Sequence, residues 1–402
     1  MEYMTSRERM ITALRNGQPD RIPVAPDISN MVPCRLTGKP FWDIYVNEDP
    51  PLWRAYIGAV KHYGMDGWFI YGELKYKTNP IVRTEKKVVK KVDDRWDMQV
   101  TYHTPDGDLT ELIVSPRANP PTHIEKVIKD FKKDFNKYKH FFPEITGYDS
   151  ELYQQQKMEL GESGIMGNII IPPGLHWYVD FFNGSLEAVT YAYYDYPELF
   201  EELREVHERY CLRQVEMAID AGMDSILTGG SGSITLQSPE IWRKLSLPTL
   251  KKMTKMCKEA GIISGVHSCG KEMYLLESCT NETDLHYANP LEIPKMGDCN
   301  LAECKKKFGH KLALMGNLHT TEIMLNGSVN DVKRESLKAI LDAGQNGGFV
   351  LSTGDQCGRD TPDANIFAMV EAVKEFGQYP LDIERLENEI KRMEHWGIED
   401  GT

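Results

Sequence analysis

The sequence predicts a (β/α)8 TIM barrel, on the basis of three observations. Eight short runs of apolar and β-branched residues are spread along the chain, segments with helical periodicity lie between them, and most of the runs end in Gly, Pro, Asn or Asp. Hydrophobicity that is continuous rather than alternating is typical of strands buried on both faces, as in a parallel sheet. The repeated alternation of strand and helix is the pattern of this barrel, and a doubly wound open sheet is the alternative.

The predicted elements follow one another along the whole chain. The eight strands are residues 22–27, 67–72, 165–171, 224–229, 263–267, 285–289, 312–317 and 348–353, and helical periodicity marks residues 239–260, 329–343 and 362–376. Thr5 and Glu8 have the spacing of a capping box, which predicts a first helix. We expect one barrel domain over residues 1–402 that ends in a helix over 380–402.

One segment does not fit the repeat. Residues 74–116 carry alternating valine and lysine and a Thr-Pro-Asp-Gly turn signal at 104–107, between two runs that resemble strands. This pattern predicts an antiparallel ribbon inserted after strand two.

Composition excludes some classes of protein. The 402 residues carry 47 basic and 60 acidic side chains and no basic stripe, which argues against a nucleic-acid partner. No apolar run approaches the ~20 residues that a membrane-spanning helix needs. The first residues are charged rather than typical of a secretion signal, so we expect a cytoplasmic protein whose eight cysteines are reduced thiols.

The ends of the predicted strands hold a candidate metal site. His267 and Cys269 are two positions apart on an extended segment, where alternate side chains point the same way. Cys357 follows strand eight and Glu292 follows strand six, so both lie at the same end of the barrel, where active sites of this fold are found. Nitrogen, thiolate and carboxylate donors suit zinc. The alternative is that these are buried core residues, and Cys279, Cys299 and Cys304 also remain open as ligands.

Other strand ends hold candidate substrate-binding residues. Aromatic side chains near the mouth could hold a flat ring or a quaternary ammonium group, and polar ones could bind substrate oxygen or nitrogen. The candidates are Asp27, Tyr71, His176, Trp177, Tyr178, Asn317 and Asp355. Each aromatic residue could equally belong to the core, and each polar one to a turn.

Several motifs resemble the uroporphyrinogen decarboxylase superfamily. They lie at residues 6–9, 19–23, 265–270, 314–317, 347–354 and 360–366. The resemblance covers nearly the whole chain and implies a (β/α)8 barrel. The decarboxylases of that superfamily carry an arginine-rich loop that binds carboxylates, whereas this chain has Pro-Asp-Ile-Ser-Asn-Met at 26–31.

The other branch of that superfamily, the cobalamin-dependent methyltransferases, carries a zinc site of the form His-x-Cys…Cys. His267, Cys269 and Cys357 match that motif, so the resemblance implies that they bind Zn²⁺. It also implies transfer of a methyl group to or from the cobalt of a corrinoid protein, and the aromatic residues near the mouth favour a methoxylated aromatic compound as the donor to Co(I). No Asp-x-His-x-x-Gly signature is present, so we expect the corrinoid on a separate partner protein.

Four alternatives stay open at this point. Within the same branch, the chain could transfer methyl groups from a methylcobamide to a thiol such as coenzyme M, or from a methylamine or betaine to the corrinoid. A uroporphyrinogen decarboxylase and a non-catalytic zinc or corrinoid-protein binding module are the others. The sequence also leaves a homodimer open.

Overall fold

The computed structural model describes residues 3–399, with side chains as far as residue 395. Its helices are α1 Ser6–Leu14, α2 Met31–Leu36, α3 Phe41–Tyr45, α4 Leu52–Tyr63, α5 Phe131–Tyr138, α6 Glu151–Leu160, α7 Leu175–Tyr178, α8 Ser185–Asp195, α9 Pro197–Asp220, α10 Pro239–Leu245, α11 Leu247–Ala260, α12 Met273–Glu282, α13 Leu301–Phe308, α14 Val329–Ala343, α15 Asp363–Phe376 and α16 Ile383–Glu399. Its strands are β1 Gly67–Phe69, β2 Lys75–Asn79, β3 Arg83–Val92, β4 Arg95–Thr104, β5 Gly107–Pro116, β6 Thr122–Glu125, β7 Glu144–Asp149, β8 Gly164–Ile169, β9 Ser225–Gly229, β10 Ile263–His267, β11 Tyr287–Asn289, β12 Ala313–Leu318 and β13 Phe349–Thr353.

Seven parallel strands form the central sheet of the described chain, in the order β1-β8-β9-β10-β11-β12-β13. They correspond to the second to eighth predicted strands, and helices lie between most of them in the chain, so the TIM-barrel prediction is confirmed. The predicted helix over 239–260 is two helices, because Pro248 begins a new first turn in α11. The final helix ends at Glu399, and residues 400–402 of its predicted range lie outside the described residues.

The first predicted strand closes the ring without forming a full strand. Val24 makes a single parallel bridge to Leu351 of β13. On the other side, the backbone N–H of Asp66, directly before β1, donates to the carbonyl of Val24 at 2.8 Å. Pro23 and Pro26 have no backbone N–H to donate, which explains why the ladder stays this short.

The interior of the ring is a packed core. Buried side chains from several strands meet there, and Trp68 Nε1 donates to the Tyr287 hydroxyl at 3.0 Å. A Cβ at Gly265 would lie 2.1 Å from the Tyr287 ring, so only glycine leaves room for that ring. Met10 and Leu14 of α1 belong to the same cluster. The predicted capping box of Thr5 and Glu8 starts this helix.

The predicted ribbon is present and is larger than expected. Strands β3 to β6 form a four-stranded antiparallel sheet, and β4 and β5 are joined by the predicted turn at 104–107. Strand β2 pairs instead with β7, outside the predicted 74–116 range. Trp96 of β4 stacks on Trp42 of α3 with ring centroids 5.4 Å apart. No helix in the described part of the chain is long and apolar enough to cross a membrane.

A buried carboxylate holds residues 22–27, the closing segment of the ring, in place. The Asp66 side chain is fully buried, and its two oxygens accept hydrogen bonds from Arg9, Arg21 and the backbone N–H of Val24, at 2.7 to 3.1 Å. Arg9 also donates to Asp20, which lies just before the segment. This network links α1, the closing segment and the start of β1.

We predict that Asp66→Ala destabilises the protein by about 3–5 kcal/mol, because Arg21 loses its ion-pair partner and the buried Arg9 loses one of its two. The free energy of unfolding in denaturant measures this. The matched control is Asp49→Ala, which removes an exposed ion pair with Lys39 and should cost less than about 1 kcal/mol. Equal losses for the two variants would contradict the role of Asp66.

A second prediction concerns the pH dependence of the antiparallel sheet. Burial acts to raise the pKa of Glu111, but hydrogen bonds from His123 and Tyr102 hold it below its ordinary value of 4.5. The same bond to Glu111 raises the pKa of His123 above 6.5. The stability that the Glu111 carboxylate contributes to the fold is lost as pH falls through its lowered pKa. The stability that the His123 imidazolium contributes is lost as pH rises through its raised pKa.

The contact therefore stabilises β5 against β6 most between about pH 4.5 and 6.5. The protection factors of the β5 amides, which correct hydrogen exchange for its intrinsic pH dependence, should be highest in that window. His123→Gln should remove the decline in these protection factors toward higher pH. A pH profile that is the same in the two proteins would contradict this.

Candidate metal centre and substrate cavity

Three potential metal ligands meet at the carboxyl ends of two strands. His267 Nε2 lies 3.0 Å from Cys269 Sγ and 3.9 Å from Asp355 Oδ1. Across the described part of the chain, this is the one group of three or more His, Cys, Asp or Glu donors whose atoms all lie within 4.8 Å of one another. His267 ends β10, and Asp355 follows β13, so the barrel ring brings the two loops together.

The neighbouring strand orients the imidazole. Asn289 lies opposite His267 in the β10–β11 register, and its Nδ2 is 3.2 Å from His267 Nδ1, while its Oδ1 has no partner. The oxygen and nitrogen of an amide are interchangeable in shape, so the reverse orientation lets Oδ1 accept a hydrogen bond from Nδ1–H. That tautomer leaves the lone pair of Nε2 free, as a metal-ligating histidine requires.

Cys269 is held beside polar neighbours. Its Sγ lies 3.3 Å from Ser231 Oγ. Burial and the nearby Asp355 carboxylate raise the pKa of the Cys269 thiol, and together they outweigh the opposite effect of the Ser231 hydroxyl. A divalent cation would supply positive charge and stabilise the thiolate. The nitrogen, sulfur and oxygen donor set and the unpartnered Asn289 oxygen therefore fit zinc.

The structure does not bring Cys357 into this group. Its side chain is fully buried, its backbone N–H donates to the Asp27 carbonyl at 2.8 Å, and burial raises the pKa of its thiol to about 12. Asp355, expected from the sequence as a substrate-binding residue, lies among the donors instead. Its φ of 106° is unfavourable for a residue with a side chain, so the loop that carries Asp355 and Cys357 is strained.

Glu292 lies near the group but outside it. Its Oε2 accepts a hydrogen bond from the backbone N–H of Gly270, directly after Cys269. The side chain is buried, and burial raises the pKa of its carboxyl. Its hydrogen bond positions the loop after β10.

A cavity of about 340 Å³ opens beside the donor group. One part of its wall is apolar and consists of Trp68, Ile70, Tyr71, Ile169, Ile171 and Leu227. The other part is mostly polar and consists of Asp27, Ser29, Asn30, Thr228, Gly229, Gly230, Ser231, His267, Asp355 and Gln356. The volume and the mixed wall are those of a small-molecule site.

Three of the predicted substrate-binding residues line this cavity, namely Asp27, Tyr71 and Asp355. The Tyr71 hydroxyl donates to the carbonyl of Ser29 at 2.8 Å, and the backbone N–H of Ser29 donates to Asp27 Oδ1 at 2.9 Å. Burial raises the pKa of the Asp27 carboxyl. These contacts hold the side chains of Tyr71 and Asp27 in place at the end of the closing segment.

The other predicted substrate-binding residues do not line the cavity. Trp177 and Tyr178 pack into a second hydrophobic cluster, where the Tyr178 hydroxyl lies 3.1 Å from His207 Nδ1. His176 is buried against Gln237, and burial lowers the pKa of His176 to about 4. The amide of Asn317 donates to the carbonyl of Leu291 at 3.1 Å. Helix α7 turns its aromatic face inward, which periodicity over four residues cannot reveal.

Sequence reasoning missed Ser231, Asn289 and Gln356. Ser231 and Gln356 are in loops after β9 and β13, and strand-end placement was the available signal for both. Asn289 ends the strand beside β10, and an amide in register with His267 was a further signal.

The ring of parallel strands defines an α/β-barrel protein. The model of the uroporphyrinogen decarboxylase (URO-D) family matches residues 161–376, which is more than half of the chain, and the chain therefore belongs to this family. A methyltransferase from Methanosarcina mazei has a similar solved structure, with a TM-score of 0.63 and 17% sequence identity over 93% of this chain and 99% of that one. This likeness confirms the fold.

Two curated relatives are methylcobamide:CoM methyltransferases. MtaA from Methanosarcina barkeri is 27% identical over 180 residues, which are 44% of this chain and 50% of MtaA. MtbA from Methanosarcina mazei is 24% identical over 268 residues, which are 64% of this chain and 72% of MtbA. The match to this chain thus spans about half the length of MtaA.

We predict that His267→Ala and Cys269→Ala each weaken Zn²⁺ binding by more than about 100-fold, because loss of a ligand costs more than loss of a residue that only orients one. Zinc content after dialysis and competition with a chelator measure this. Cys257→Ala, which removes a buried thiol of α11, is the control and should retain zinc. Full zinc binding by either site variant would rule out this centre.

Proposed function

We propose that this protein is a zinc-dependent methyltransferase that transfers a methyl group from a methoxylated aromatic compound to the Co(I) of a corrinoid protein. The observation that carries the proposal is the donor group of His267, Cys269 and Asp355 at the wall of a cavity with an apolar side. The relationship to MtaA and MtbA supports the corrinoid part of the proposal.

In this proposal His267 and Cys269 bind the metal ion, with Asp355 within reach. Cys357 and Glu292, which lie outside this donor group in the structure, are proposed as further ligands once the ion binds. When bound, zinc supplies a Lewis acid that stabilises negative charge on the oxygen from which the methyl group departs. The corrinoid supplies the nucleophile that accepts the methyl group. Asn289 orients the His267 ring so that Nε2 can bind the ion.

The cavity wall would orient the substrate. Trp68 and Tyr71 present aromatic side chains to the cavity, and an aromatic donor can pack against such surfaces. Asp27 and Gln356 present polar atoms on the other side, where a ring hydroxyl can form hydrogen bonds. Because the rings of both aromatic residues are largely buried, little conformational entropy is lost when the substrate binds.

Methyl transfer from a methylcobamide to a thiol is the second candidate, because MtaA and MtbA carry that name. A thiol acceptor would use the same centre, since zinc lowers the pKa of a bound thiol. The two candidates differ in the direction of transfer with respect to cobalt.

The test is incubation of the zinc-loaded protein with free cob(I)alamin and a panel of methyl donors, followed by the absorbance change on methylation. We expect methylcobalamin to form with a methoxylated aromatic compound. A parallel incubation contains methylcobalamin and a thiol. Consumption of methylcobalamin there, without reaction of any methoxyaromatic donor with cob(I)alamin, would favour the second candidate and contradict the first.

The same assay tests Cys357. If Cys357 is a ligand in the zinc-loaded protein, Cys357→Ala lowers zinc content and activity together, whereas Cys257→Ala retains both. A Cys357→Ala protein that is active and free of zinc would contradict zinc dependence.

A further inference from the structure

The cavity beside the donor group has an uneven distribution of charge. Its sixteen lining residues include two carboxylates, Asp27 and Asp355, and neither lysine nor arginine. The imidazole of His267 is the one basic side chain among them, and its Nε2 points to Cys269 and Asp355. No lining side chain is thus available to pair with an anionic group of a ligand.

The arginines on the adjoining segments have other partners. Arg35, in the helix after the closing segment, forms an ion pair with Asp363. Arg359, two residues beyond Cys357, pairs with Asp360 at 2.6 Å and donates to the carbonyl of Ala118 at 2.8 Å. Bringing either guanidinium into the cavity would break these contacts.

A bound dication would not give the cavity a net positive charge. One thiolate from Cys269 and one carboxylate from Asp355 already neutralise two positive charges, and Asp27 adds a further acidic group. A carboxylate or sulfonate moved from water into such a cavity loses its hydration and finds no net positive charge on the side chains and the ion together, which is costly. Sites that bind anions usually supply arginine or lysine for this purpose.

We propose, resting on the function proposed above, that the site selects substrates that carry no negative charge. For methyl donors, the class is uncharged methoxylated arenes rather than methoxybenzoates. The six apolar side chains of the wall receive the ring, and the polar side receives neutral hydroxyl groups. The same argument disfavours a sulfonated thiol relative to an uncharged thiol of similar size.

The experiment compares 2-methoxyphenol with 4-hydroxy-3-methoxybenzoate, which differ by one carboxylate. Binding of each to the zinc-loaded protein at pH 7.5 is measured by calorimetry, and methyl transfer to cob(I)alamin is measured separately. We expect the uncharged compound to bind at least about 100-fold more tightly. Equal or tighter binding of the benzoate, or binding of neither compound, would overturn the inference.

Two variants at one position sharpen the test. Gln356 lies on the polar wall and contacts Ser29, so Gln356→Arg introduces a cation at the cavity, whereas Gln356→Met removes the polar group without adding charge. Gln356→Arg should reduce the preference at least about tenfold by improving benzoate binding. If benzoate binding improves as much in Gln356→Met, or in neither folded variant, charge does not set the preference.

The calorimetric result separates the two proposals. Selective binding of 2-methoxyphenol without methylation of cobalamin would support the charge preference of the cavity and contradict the proposed reaction. Methylation that proceeds equally from both compounds would support the reaction and overturn the charge preference.

Discussion

The ion pairs of Asp66 are the interaction on which the ring depends. The closing segment contributes one backbone bridge to β13, because prolines interrupt its hydrogen-bonding pattern. Its position is therefore set by the buried carboxylate that receives Arg9, Arg21 and the backbone of Val24. Salt bridges buried to this extent require well-aligned partners to offset desolvation, and here four donors meet one carboxylate.

That network lies at the amino-terminal end of the strands, whereas the candidate site lies at the carboxyl-terminal end. The segment connects the two, because Asp27 is its last residue and the carbonyl of Asp27 accepts a hydrogen bond from the backbone N–H of Cys357. The backbone N–H of Asp27 in turn donates to Thr353 Oγ1 at 2.9 Å. Closure of the ring thus fixes the loop after β13, and with it the position of Asp355 relative to His267.

The barrel could be predicted from the sequence because buried parallel strands have an unmistakable continuous hydrophobicity, and because their order in the ring follows their order in the chain. His267 and Cys269 could be placed together for a local reason, their spacing on an extended segment. Asp355 and Cys357 could not be ranked, because which of two loop residues faces the donor group depends on a backbone turn with positive φ. Trp177 and Tyr178 could not be assigned to the core, because their partners come from distant helices.

The residue behind the candidate histidine ligand is an amide rather than a carboxylate. A carboxylate in that position increases the basicity of the imidazole and so its donation of electrons to the ion. Asn289 orients the ring without that effect, because it carries no charge. An ion held by this histidine would keep more of its electron-withdrawing strength for the atom it activates.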